Sequence, residues 1–213
     1  TLLVNGGKGI GTGFSFEILN YNPLKIVKYL KKKIKKESVS RLTPYYEGFK
    51  GTIHSINNGK KYLFKGKYQI LQGNRLHITE LPIGIWTDTY KEFLETLMDS
   101  KKKQLITEYK DMSNSVSVDI MITLARGVLA SLISKKVDYN CTALEKTFKL
   151  YTTRTTTNMH VFNHKQQTKK FENVEDIIDA YYPIRYNLYT KRKAYLIKEL
   201  ENIVNVLHNK ARF

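Results

Sequence analysis

Between Ile184 and Phe213 the chain contains neither proline nor glycine, so nothing in that stretch interrupts a helix. Leu196, Leu200, Ile203 and Leu207 step by four, three and four, the spacing of a seam in a coiled coil or helical bundle. A helix of about 30 residues extends ~45 Å. That is more than a small domain can cover, so the stretch is predicted to project as an arm. Asn173, with Asp176 three residues on, marks the helix start. Pro183 predicts a kink there, or a restart with the proline in its first turn.

Upstream the periodicities alternate between helix and strand. Asn22-Pro23 opens a helix in which Ile26, Val27, Leu30 and Ile34 recur at helical spacing, predicted to end near Glu37. Thr52–Ile56, Lys61–Lys65, Lys67–Leu71 and Arg75–Glu80 read as strands joined by Asn57-Asn58-Gly59 and Gly73-Asn74, a single meander. Thr87 is predicted to cap a second helix to about Asp99, with Tyr90, Phe93, Leu94, Leu97 and Met98 inward. Val116, Val118, Ile120 and Ile122 alternate like a strand, and Thr123 is predicted to cap a third helix through about Lys136. Phe148–Tyr151 and Met159–Asn163 read as strands, with a turn at His164–Gln167 before Lys169-Lys170-Phe171. The fold class is therefore α+β, a mixed sheet with packed helices. No run reaches the ~18–20 apolar residues that span a bilayer. The lone Cys141 excludes a disulfide framework and agrees with a reducing compartment.

Charge narrows the partner. The chain carries +17 at pH 7, of which +11 falls in the first 110 residues. Such a balance points to a polyanion, nucleic acid before an anionic membrane surface. Lys25, Lys28, Lys31, Lys32, Lys33, Lys35 and Lys36 crowd one helix without glutamate partners. That row is either a solvated surface or a phosphate track; Lys60, Lys61, Lys65 and Lys67 form a weaker patch. His160 and His164 lie on a strand and its turn, do not share a face, and read as ordinary rather than as metal ligands.

Near the start, Asn5-Gly6-Gly7-Lys8-Gly9-Ile10-Gly11-Thr12-Gly13 is a turned loop. It lacks both the dinucleotide-binding glycine triplet and the Ser/Thr that a phosphate-binding loop places after its lysine. It carries one β-branched residue, Ile10, between glycines. Such a side chain either packs into its own domain or serves as a wedge between base steps.

The stretch Leu3-Val4-Asn5-Gly6-Gly7-Lys8-Gly9-Ile10-Gly11-Thr12-Gly13-Phe14 resembles the loop of eukaryotic-type DNA topoisomerase II, Leu-Val/Ile-Asn-Gly-Ala-Glu-Gly-Ile-Gly-Thr-Gly-Trp. The resemblance continues through Tyr21-Asn22-Pro23, Tyr46–Ile53, Ile78–Pro82, Trp86–Glu92, Phe148–Leu150, Asn158-Met159, Lys169–Phe171 and Asn209–Phe213, in family order over essentially the whole chain. It implies the end of a winged-helix DNA-gate domain at 1–22, a tower domain at 23–171, and the start of a coiled-coil arm toward the C-gate at 172–213. It further implies that Ile10 intercalates into DNA and bends it. Lys8, Gly9, Gly11 and Thr12, with Lys28, Lys31, Lys32, Lys33 and Lys35, would contact the duplex.

The same resemblance implies a segment of an ATP-dependent enzyme that passes one duplex through a transient double-strand break in another. The catalytic tyrosine, the magnesium-binding domain and the ATPase domain would lie upstream of Thr1, in a chain that begins without an initiator Met. No catalytic residue, metal ligand or cofactor is then expected here; Mg and ATP belong to the full-length enzyme. The partner is double-stranded DNA, with a homodimer at full length and a monomer open to the isolated segment. The alternative is a stand-alone basic DNA-architectural or scaffold module without catalysis. Three departures stand out: Gly7-Lys8 for the family's Ala-Glu, Phe14 for its Trp, and Gly84-Ile85 for Arg-Thr. They imply a large cytoplasmic DNA virus as source and the host cytoplasm as location, the nucleus otherwise. Gly84 also puts in doubt any DNA contact made by the family's arginine.

Overall fold

A computed structural model describes residues 1–99 and 104–213. In chain order the elements begin with α1 Leu2–Asn5, β1 Gly7–Ile10, β2 Ser15–Ile18, α2 Pro23–Ile34, β3 Thr52–Ile56, β4 Lys61–Lys65, β5 Lys67–Leu71 and β6 Arg75–Glu80. They continue with α3 Thr87–Met98, β7 Ile106–Asp111, β8 Ile120–Leu124, α4 Val128–Ser134, α5 Ala143–Thr147, β9 Tyr151–Thr155, β10 Met159–Phe162, β11 Thr168–Phe171 and α6 Val174–Arg212. The α+β class stands.

The predicted meander is cut in two. β3 and β4 pair with β9, whereas β5 and β6 continue into β8 and then β7. The break falls at Gly66, whose N–H donates to the Leu150 carbonyl at 2.9 Å. A Cβ on Gly66 would overlap the Glu80 carbonyl oxygen and press on Pro82. The chain turns from one sheet into the other only because this residue has no side chain.

Each sheet builds its own core. Leu76 and Ile78 of β6 and Ile120, Ile122 and Leu124 of β8 alternate inward. They meet Tyr90 and Leu94 of α3, together with Leu144, Phe148 and Leu150. The second core gathers Ile18, Leu19 and Tyr21, Tyr29 of α2, Tyr62 and Phe64 of β4, Met159, Phe171, and Val174 and Ile178 of α6. Lys65 crosses from β4 to α5, its Nζ 2.8 Å from Oε1 of the buried Glu145. Glu145 also caps α5, accepting the Thr142 N–H at 2.8 Å while Thr142 Oγ1 accepts the Glu145 N–H. That reciprocal cap discharges the remaining lone pairs of a carboxylate that would be costly to bury alone.

Several boundaries differ from the sequence reading. α2 ends at Ile34, because Lys36 adopts φ 58° and Glu37 N–H closes back on the Lys32 carbonyl. Trp86, not Thr87, is the N-cap of α3. Val116 and Val118 precede β8 rather than belong to it. Asn114 Oδ1 accepts the N–H groups of Val116 and Ser117 and holds that loop, leaving Val116 exposed. Thr123 lies inside β8, and the following helix starts later, after Gly127 at φ 80°. Phe148 and Leu150 are core residues ahead of β9 rather than strand residues. α6 is one helix of 39 residues through Pro183, with no restart. The proline removes only the bond to the Asp179 carbonyl, and Asp179 is tied to α2 by its side chain. Every residue from Arg185 to Phe213 is exposed, so the arm projects, about 58 Å long over the whole helix.

Replacing Gly66 with Ala is expected to destabilise the protein by about 1–3 kcal/mol, the range for forced overpacking, read as a lower urea midpoint. A Gly13→Ala control, at a position with open space around it, should lose less, through its positive φ alone.

Candidate nucleic-acid interface

The glycine loop is a two-stranded antiparallel hairpin. Gly7 pairs with Ile18, Lys8 with Glu17, Gly9 with Phe16 and Ile10 with Ser15. The turn Gly11–Phe14 closes with the Gly11 N–H donating to the Phe14 carbonyl at 2.8 Å, and Gly13 takes φ 85°. Alternation along β1 sorts its residues onto two faces. On one face the Phe16 ring lies across Gly7 and Gly9; a Cβ on Gly9 would come within 2.6 Å of Phe16 Cε1. On the other face stand Lys8 and Ile10. Ile10 is 88% exposed, so the reading in which it packs into its own domain is excluded. Gly11 and Thr12 are exposed in the turn, and Gly9 is half-buried beneath the ring.

Beside the hairpin base runs a groove of about 630 Å³, bounded by Lys8 and Glu17, the 80–87 loop, the 114–118 loop and Arg154. Glu17 Oε1 accepts from Arg154 Nη1 at 3.1 Å. The Arg154 guanidinium sits where a Cβ on Gly84 would project, so a larger residue at 84 would displace this arginine. Trp86 stands exposed at the groove's edge.

Helical geometry divides the lysines of α2. Lys28, Lys31 and Lys35 are exposed beside Leu24, Val27 and Ile34. Lys32 is half-buried and reaches the Ser38 carbonyl at 3.4 Å. Lys33 points the other way. It is ion-paired with Asp179 of α6 and lies 5.6 Å from the Tyr182 ring centroid. Tyr29, buried and missed as a core residue, donates its hydroxyl to the same Asp179 at 3.1 Å. Burial, then the Asp179 carboxylate, pushes the Tyr29 hydroxyl up to about 12. Lys33 therefore joins α2 to α6, which corrects its placement in the outward row. The Lys60-to-Lys67 patch is dispersed as well: Lys65 serves Glu145 and Lys61 lies over the Tyr139 ring at 4.7 Å.

His160 is held by Ser15 and Asn158, and His164 is exposed in its turn. Among the described residues no three His, Cys, Asp or Glu side chains are grouped as a metal site would need. Glu17, Glu145 and Asp179 are each committed to a cation, so this donor set does not suit magnesium. Among the described residues no helix is long and apolar enough to cross a membrane.

The family profile for the A-type chain of DNA gyrase/topoisomerase IV matches residues 1–213. The chain is 37% identical to DNA topoisomerase 2 of Bombyx mori over its full length, covering 13% of that protein. It is 41% identical to DNA topoisomerase 2 of Plasmodium falciparum, again over its full length and 15% of that protein. The crystal structure of the Plasmodium falciparum topoisomerase II DNA-binding, cleavage and re-ligation domain superposes with a TM-score of 0.87 at 39% identity, over 94% of this chain and 26% of that one. The chain thus spans about a seventh of its curated relatives. With its whole length matched by the profile and its fold by a solved domain, the chain belongs to the type II topoisomerase family, as a segment homologous to the DNA-binding and cleavage domain.

Proposed function

We propose that this segment grips and bends the duplex that a type II topoisomerase cuts, with Ile10 as the wedge. The observation that carries the reading is an 88% exposed β-branched side chain at a hairpin tip, on the same face as Lys8. An apolar residue so placed loses solvent-exposed area by entering a base step, and the unstacking it causes kinks the helix. Bending 20–30 base pairs costs of order 1–6 kcal/mol. Phosphate contacts along the bent path offset that cost. Lys8, Gly11 and Thr12 at the hairpin and Lys28, Lys31 and Lys35 on α2 supply them. Because these groups meet phosphate rather than base edges, sequence preference arises from deformability.

Residues 1–22 close the winged-helix DNA-gate domain, 23–171 form the tower, and 172–213 begin a coiled-coil arm. Along that arm Leu196, Leu200, Ile203 and Leu207 are all exposed, a stripe suited to pairing within a homodimer. Strand passage, magnesium and ATP chemistry belong to the rest of the enzyme; no step of them is assigned to these residues. The divergent Gly7-Lys8, Phe14 and Gly84-Ile85 support a large cytoplasmic DNA virus as source and host cytoplasm as site of action, the nucleus being the site for a cellular enzyme.

In the intact protein, Ile10→Ala is expected to leave duplex affinity nearly unchanged while reducing DNA bending measured by FRET between end labels. Bending equal to wild type would refute the wedge. Changing Lys28, Lys31 and Lys35 together to Gln is expected to flatten the plot of log affinity against log salt by about 2–3 units, roughly 0.9 per phosphate contact. The same change at Lys33 should act on stability rather than on that slope.

A further inference from the structure

A two-stranded hairpin is marginally stable by itself, and a wedge on a yielding support would swing aside instead of parting a base step. The structure supplies a support. Ser15 is the cross-strand partner of Ile10, on the last rung before the turn. Its Oγ accepts from Asn158 Nδ2 at 2.8 Å. His160 Nδ1 lies 3.2 Å from the Ser15 carbonyl oxygen and 2.9 Å from Asn158 Oδ1. Both are acceptors, so Nδ1 carries the proton and donates to them. One rung further in, the Glu17 N–H donates to the Asn158 carbonyl at 2.8 Å. The Phe14 ring of the turn lies 6.3 Å from the His160 ring.

The far side of this contact is rigid. Between Asn158 and His160 sits Met159, 1% exposed in the second core. β10 pairs with β11 along its whole length, and β11 ends at the buried Phe171, directly before α6. A force applied at Ile10 thus passes through the Ser15 rung to Asn158 and His160, and from there into the core and the arm.

We propose that Asn158 and His160 are positioning residues for DNA bending, bracing the Ile10–Ser15 rung so that the wedge holds its angle against the duplex. The inference rests on the wedge reading of Ile10. Asn158→Leu and His160→Phe in the intact protein, bound to an end-labelled duplex of about 30 base pairs, are expected to lower the bent-to-straight ratio by about 3–10-fold, the span one hydrogen bond supports. Low-salt affinity and the thermal midpoint should stay near wild type. Asn158→Asp should keep bending, since its carboxylate still accepts from His160 and the Ser15 hydroxyl can turn to donate to it; a structural defect would not be rescued this way. Should Asn158→Leu fail to fold, Ser15→Ala, which deletes one hydroxyl, carries the test with the same expected direction. Wild-type bending in the brace variants alongside a loss in Ile10→Ala overturns the brace and leaves the wedge standing. Wild-type bending in Ile10→Ala overturns both.

Discussion

The passage of bare backbone at Gly66 against Glu80 and Leu150 decides the shape of this molecule. At that point the chain leaves the β3–β4–β9 sheet and enters the β5–β6–β8–β7 sheet, and the two cores come to share one covalent joint. Lys65, the residue before it, reaches across to Glu145 of α5. A side chain at 66 would force the sheets apart and strip Glu145 of its cation, leaving a buried carboxylate with only its cap. The register of β4 against β9 follows from the same joint. It fixes where the chain leaves β9 and therefore where Asn158 and β10 meet the hairpin.

At the hairpin, steric room and exposure are two sides of one pattern. Glycine at 7 and 9 is required less for flexibility than for the Phe16 ring that covers them. With that ring occupying one face, Lys8 and Ile10 have only the other face available, and it opens to solvent. The loop is thus stiff where its glycines suggest freedom. Stiffness is what a wedge needs, since the strain of parting stacked bases must fall on the DNA and not on the protein.

Much of this was legible in the residues. The strands β3 to β6, the Asn22-Pro23 start of α2 and the arm follow from alternation, capping and helical spacing, which are local. The failures are tertiary. The meander looked continuous because strand periodicity carries no information about which sheet a strand joins. Val116 and Val118 fitted an alternation, but Asn114 captures that backbone in a turn instead. α5 is five residues long, too short for periodicity, although Thr142 and Glu145 spell its capping box. Tyr29 escaped notice because its hydroxyl serves Asp179, 150 residues away. Within the site, the loop motif and its family resemblance pointed to Ile10, and exposure was needed to separate a wedge from a core residue. Nothing in the sequence signals that Asn158 and His160 reach Ser15.

The lysines show why charge density alone overstates an interface. Seven lysines crowd α2 and its end, yet the helix turns Lys33 onto Asp179 and Tyr182 and half-buries Lys32. A cation held by a carboxylate at a helix–helix contact has already given up its hydration and offers little to a phosphate. Lys28, Lys31 and Lys35, a turn apart on the opposite side, keep theirs. Because α2 is fixed to α6 through Lys33 and Tyr29, the lysines that remain free are held at a set angle to the arm. Cations on a rigid mount shape a duplex by where they stand, and the hairpin, braced on the same core, adds the apolar contact that electrostatics cannot supply.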